Sequence, residues 1–485
     1  MRRIVFLSIA LISLACAARA ATRPHYGGTL RVAMQSAPMS LEVPAASSPT
    51  DYWNLSRLLS LFADPLVTID PAGHAHPALA LAWQSDSTAR HWQFTLQHGV
   101  KFHDGSPASP ATIAQILTTL HPDWNIRPGT SASDSLTIDT ENPAPDLLAE
   151  LALPRNLILK RNAAGVPIGT GPFRVTSLQT GQSLKLAANE ESWSGRPFVD
   201  AIEIEFGKSL RDQAVALELG RTDIIEAPPQ SATASSRSTT TSLPVELMAL
   251  VFSPNSKAQD VRLRQAIALS IDRKPIQSVL LKGAAEPTAA LLPNWMTGYT
   301  AAFSTQPNVP RAKTLLAESR SPTLTLAPLT LSYDPRDPQS QLIAERIALN
   351  AREAGIAISV SLSAAEDLRL VRIALPTPDP ALALSEAAPH LALAAPLLRS
   401  NSVEDLYQAE HALLDDYKVI PLFHLPIASA ASPRVHNWQP DQLGRWNLAD
   451  VWLEPSRTEG SQLTTTLPQA SRLEARQQPR PEAPQ

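Results

Sequence analysis

The stretch LTLAPLTLSYDPRDPQSQLIAERIALNAREAGIAISVSLSA, residues 324–364, decides the fold class. Leu324–Pro335 reads as a strand, the segment from Ser340 as a helix that Gly355 stops, and Ile356–Leu362 as a second strand. Strand, helix and strand in that order imply parallel pairing with the helix packed across the sheet. The expected class is α/β. On either side the pattern continues. VELMALVF (Val245–Phe252) is apolar enough for a buried strand, and DVRLRQAIALSIDRKPIQSVLLKG (Asp260–Gly283) has helical faces broken near Pro275. GGTLRVAMQSAP (Gly27–Pro38) alternates Leu30, Val32 and Met34 against Thr29, Arg31 and Ala33, as a strand does. DYWNLSRLLSLF (Asp51–Phe62) has helical spacing, and HWQFTLQHGVKF (His91–Phe102) puts Trp92, Phe94 and Leu96 on one strand face. Ser109 and Pro110 suit a helix start after the turn HDGS. Thr180-Gly181 closes a hairpin, and TDIIEAPP is a short buried strand. Pro229–Pro244, rich in Ser and Thr, reads as a linker or a loosely packed loop.

Composition bounds the function. The chain has 485 residues, 44% of them hydrophobic and 18% charged, with a net charge of −4. That is room for two or more globular domains. No lysine-rich block offers the clustered positive charge that phosphates require, so no nucleic-acid partner is expected. The 44 prolines make long uninterrupted helices rare. Arg2 and Arg3, the apolar run Ile4–Leu14 and Ala18-Arg19-Ala20 form an export signal, with cleavage expected after Ala20. Cys16, the single cysteine, is either lost with that signal or lipidated as an anchor, although Ser13 stands where lipoprotein signals prefer a large aliphatic residue. Residues 456–485 are polar and expected to be disordered.

Catalytic and metal signatures are weak. GTGPF (Gly169–Phe173) leads into a strand, not onto a helix N-terminus, and reads as a tight turn. There is no HExxH and no GxSxG; His74 with His76, or His103 with Asp104, is too little for a metal site or a triad. No enzyme chemistry, metal or cofactor is expected.

The ordered blocks carry a resemblance. GGTLRVAMQSAPMSLE, LFADPLVTIDPAGHAHPALALAW, HWQFTLQHGVKFHDGSP, PIGTGPFRV, LELGRTDIIEAPP, DVRLRQAIALSIDRKPI, VIPLFHLP and GRWNLADVWL together resemble the bacterial extracellular solute-binding proteins of family 5, the peptide- and nickel-binding components of ABC importers. The likeness implies a periplasmic two-lobed (Venus-flytrap) clamp with an inserted domain. Its expected divisions are a signal peptide 1–20, lobe 1 over 26–53, 169–252 and 438–455, an inserted domain over 54–168, and lobe 2 over 253–437. It implies a monomer that closes on a peptide or related small solute and docks on a membrane permease. The alternatives are a divergent member acting as an extracytoplasmic sensor or scaffold, or a secreted enzyme. FHDGSP matches a structural turn of the inserted domain, with Lys101 and Asp104 as local charge partners.

The residues expected at the cleft are Met34, Trp53, Phe252, Arg369, Arg372 and Asp379. In peptide-binding members an aspartate in a block W-x-A-D-Y-P-D-P pairs with the peptide ammonium. Here LVRIALPTPDPALAL (Leu370–Leu384) keeps Ala374 and Asp379-Pro380 but puts Leu375 or Pro376 in that place. An unpaired ammonium in a closed cleft is costly, so the departure argues against a conventional free-N-terminus peptide unless Asp379 or Glu386 substitutes. Arg369 and Arg372, if they face the cleft, favour a carboxylate.

Overall fold

The computed structural model describes residues 24–454 apart from 39, 42–48, 130–133, 229–237, 300–302, 320–327, 363–365, 395, 397 and 399–401. The export signal with Cys16 and the 456–485 tail lie outside the described residues.

The expected parallel unit is present. Leu329–Ser332 pairs in parallel with Ile358–Val360 on one side and with Leu368–Ala374 on the other. The connecting helix Pro338–Glu353 starts on Asp337, whose side chain accepts from Gln339 N, with Pro338 in the first turn. It stops at Gly355, which has φ +89°. Ile343, Ala344, Ile347 and Ala351 all face one core, and each fully buried aliphatic of Ile size stabilises by ~1.5–3 kcal/mol.

This unit forms one end of an 11-stranded mixed sheet. At the other end Thr29–Ala33 lies parallel between Ala201–Glu205 and Ile224–Ala227, and the hairpin Phe173–Gln179/Ser183–Ala188 forms the edge. Two long antiparallel strands, Ser238–Phe252 and Val419–Ala431, join the two ends. Leu30, Phe62, Phe173, Ile202 and Trp446 gather in one core; Leu250, Leu263, Leu331, Ile347 and Phe423 gather in a second. Where the long strands pass between the cores, Pro244 stands directly opposite Pro426, and the register is irregular on both sides of Pro244. A third core is built on the four-stranded sheet of Ala80–Ser85, His91–Leu96, Ser135–Asp139 and Asn125–Pro128, where Trp92, Phe94 and Leu96 are buried as their alternation requires.

Four local expectations are corrected. Ser238–Pro244 is strand, not loop: Ser238, Thr239, Thr240 and Thr241 pair with Ala431, Ala430, Ser429 and Ala428. β-Branched threonines suit a pleated surface once a partner strand is beside them. The helix Val261–Ser270 breaks at Ile271, before Pro275, because Asp272 turns its side chain onto Lys274 N and starts a new helix there. Lys101 and Asp104 do not pair with each other; Lys101 reaches Glu191 at 2.8 Å and Asp104 reaches Lys160 at 2.8 Å. Gly169 and Gly171 serve close packing more than a turn, since a Cβ on Gly169 would lie 1.9 Å from Phe62 O.

His103 belongs to the same packing. Its Nε2 lies 2.9 Å from Gly171 O, Gly169 N donates to its Nδ1 at 3.4 Å, and burial lowers its pKa. Asp104 closes the turn by accepting from Ser106 N and Oγ.

Candidate functional site

The helix Pro49–Leu59 places the first wall. Leu55, Leu58 and Leu59 enter the first core, and Trp53 and Arg57, one turn apart, line a cleft that opens to solvent between the first and second cores. Strands and loops supply the remaining walls: Gln35 and Glu226 from the side of the first core, and Glu246, Lys282, Asp337 and Arg372 from the second. Gln35 Nε2 donates across to Arg336 O at 3.2 Å, tying the two sides.

The charges along this cleft differ in how they are held. Arg57 is 4% exposed; its Nε donates to Gly444 O at 3.1 Å and its guanidinium lies 5.2 Å from the centroid of the Trp446 ring. Burial lowers its pKa, opposed by Glu226, Glu246 and Asp441. Gly444 itself has φ +76° and packs against Ile427, whose Cδ1 a Cβ there would meet at 2.4 Å. Arg372 is gripped by two carboxylates. Its Nη2 donates to Glu246 Oε2, and its Nη1 to Asp337 Oδ2 at 3.2 Å. Burial pulls its pKa down, but the two carboxylates outweigh burial and hold it up. Glu226 is held by neutral groups: Gln35 N donates to its Oε2 at 2.6 Å and Gln213 Nε2 at 3.4 Å. Four basic residues, Arg57, Lys282, Arg336 and Arg372, face three acidic ones, Glu226, Glu246 and Asp337. That near balance suits a solute carrying both signs of charge better than a polyanion.

A family model for bacterial extracellular solute-binding proteins, family 5, matches residues 74–384. The chain belongs to this family. Among characterised relatives, it is 25% identical over 364 residues to di/tripeptide-binding protein 2 of Pseudomonas aeruginosa, covering 64% of this chain and 67% of that one. It is 26% identical over 247 residues to the nickel-binding protein NikA of Staphylococcus aureus, covering 48% and 49%. Among solved structures, the oligopeptide-binding protein AppA of Bacillus subtilis, in complex with a nonapeptide, superposes with a TM-score of 0.75 at 17% identity, covering 89% of this chain and 100% of that one. The α/β clamp with two lobes expected from the sequence is thereby the fold of this family-5 protein.

Of the residues expected at the cleft of this family-5 protein, Trp53 and Arg372 line it. Met34 is packed into the first core beside Leu30 and Val32, and Phe252 into the second. Arg369 stands three residues before Arg372 on the same strand; an odd spacing puts the two on opposite faces, and Arg369 lies 4.0 Å from Glu366. Asp379 caps the helix Pro380–His390, its Oδ1 accepting from Leu382 N at 2.9 Å. Leu375 is fully buried in an apolar cluster with Leu247 and Leu384, and Glu386 is engaged by Arg155. Among the described residues no group of three or more His, Cys, Asp or Glu could hold a metal ion.

Arg57, Glu226, Glu246 and Asp337 escaped the sequence reading. One signal was available: Glu246 is the lone charge inside the apolar run VELMALVF.

Proposed function

We propose that this protein captures a peptide or related small solute in the cleft between its first and second cores, in the periplasm, and passes it as a monomer to the permease of an ABC importer. The observation that carries this reading is the cleft itself. It is lined from both cores by charged side chains of both signs and bridged by the Gln35–Arg336 hydrogen bond. A solute touching both walls favours the closed form through contacts that an open form lacks. The named relatives supply the solute class: one binds di- and tripeptides, and another was solved with a nonapeptide.

The division into lobe 1 (26–53, 169–252, 438–455), inserted domain (54–168) and lobe 2 (253–437) accords with three separate cores. The packing of Met248, Leu250 and Phe252 in the second core argues for drawing the crossing at Pro244 and Pro426 in place of Ser253. Removal of the leader after Ala20, and Cys16 with it, completes the reading, and mass measurement of the mature protein tests that step.

Native mass spectrometry of the protein purified without denaturation tests the main proposal. A small solute that leaves on gentle activation, and that is identified as a peptide, supports it. A protein that carries no solute and whose melting temperature no peptide mixture raises would overturn it.

A further inference from the structure

We propose that the protein carries a second binding site beside its second core, separate from the cleft, where Arg273 holds a small organic acid with one carboxylate on a compact apolar body.

The site is a cavity of about 110 Å³ that shares no lining residue with the cleft. The sequence IDRKP, residues 271–275, turns a charge toward it. Asp272 places its side chain on Lys274 N and starts a short helix, which leaves Lys274 in solvent and Arg273 only 4% exposed. Leu269, Leu414 and Ile420 give the cavity apolar walls. The rings of Phe303 and Tyr417 line it with their centroids 5.7 Å apart, and exposed Ser304 gives it a side toward solvent. Among the described residues Arg273 is the single charge that lines it.

That charge is poorly compensated for its depth. Arg372 has two carboxylates, and buried Arg264 donates to three backbone carbonyls, those of Asp416, Ala258 and Gln259. Arg273 donates from Nη2 to Pro421 O at 2.7 Å, but its buried Nε has no hydrogen-bond partner among the described residues. Burial lowers its pKa to about 10, with no carboxylate opposing burial, so it stays charged at neutral pH. An apolar side chain of similar volume would avoid the cost of burying this charge. A ligand carboxylate offsets that cost through charge-assisted hydrogen bonds. One guanidinium matches a monoanion. A phosphate dianion would need further donors that these walls lack, whereas they cover the hydrocarbon body of an organic acid.

Benzoate is the probe, and benzamide is its neutral counterpart of nearly the same shape. In isothermal titration near neutral pH, the wild-type protein is expected to bind benzoate at least about tenfold more tightly than benzamide. Arg273→Met keeps the side-chain bulk and is expected to erase that preference. Ala289→Leu, which narrows the cavity and leaves Arg273 in place, is expected to weaken benzoate by a similar factor, and it serves if the methionine variant does not fold. A wild type that binds neither compound, or both alike, would overturn the inference. So would a folded variant that prefers benzoate as the wild type does, because the preference would then arise elsewhere. Either result leaves the peptide reading intact, since the two sites share no residue.

Discussion

Arg155 donates from Nη1 to Glu386 Oε2 at 2.5 Å, joining the third core to the helix Pro380–His390. The same guanidinium donates from Nε to Glu150 Oε1 at 2.8 Å, and Ala149 and Leu153 meet Leu382 beside it. Burial lowers the Arg155 pKa, but Glu150 and Glu386 outweigh burial and raise it. The side chains of Arg155 and Glu386 remain 31% and 27% exposed, so solvent screens part of the attraction. Arg155→Met is expected to lower the unfolding free energy by about 1–2 kcal/mol in urea titration, and to increase the radius of gyration in solution scattering as this contact between units is lost.

Gly169→Ala is expected to destabilise by at least about 1–3 kcal/mol, the cost of forcing a methyl group into a filled space. The obstruction is backbone, Phe62 O at 1.9 Å, which cannot swing away as a side chain could. Thermal melting checks this, and Gly181→Ala, at an open hairpin turn where nothing lies within 4 Å, isolates the purely conformational cost of a positive φ.

Glu410 links stability to pH. It is fully buried, accepts from Leu292 N at 2.7 Å and from Tyr299 Oη at 2.8 Å, and burial raises its pKa to about 7. A carboxyl whose folded pKa exceeds its unfolded one binds the proton more tightly when folded. Its contribution is therefore complete below the ordinary carboxylate range and is lost as pH rises through about 7. The unfolding free energy should fall between roughly pH 4.5 and pH 7 on this account. Glu410→Gln should flatten that slope, as measured by denaturant titration across the window.

Removing Arg372 would leave Glu246, 9% exposed, without its cation. Arg372→Met should therefore cost about 3 kcal/mol, because an orphaned buried charge is worse than none. The double variant Arg372→Met with Glu246→Gln should recover most of that loss. A double-mutant cycle in urea gives the coupling directly.

The elements that sequence made legible were those whose information is local. The helix Pro338–Glu353 and its flanking strands follow from periodicity and a stopping glycine, and the burial of Trp92 and Phe94 from simple alternation. Ser238–Pro244 was illegible because its strand character depends on Val419–Ala431, nearly two hundred residues away. At the site, Trp53 was legible through the family resemblance, on a stretch whose spacing was already helical. Met34 shares a face with Leu30 and Val32, and that same alternation already pointed it inward. Arg57 and Glu226 were not legible, since a charge on a helix or strand reads as solvated until a second core is folded over it.

The facing prolines have a mechanical consequence. Neither Pro244 nor Pro426 carries an N–H, so at the level where the two long strands cross from one core to the other the ladder has no rung of its own to break. Pro426 also lines the floor of the cleft. Bending at that level costs repacking but no backbone hydrogen bond between those two residues, while the paired segments on either side stay stiff. That level lies against the cleft proposed to hold the solute.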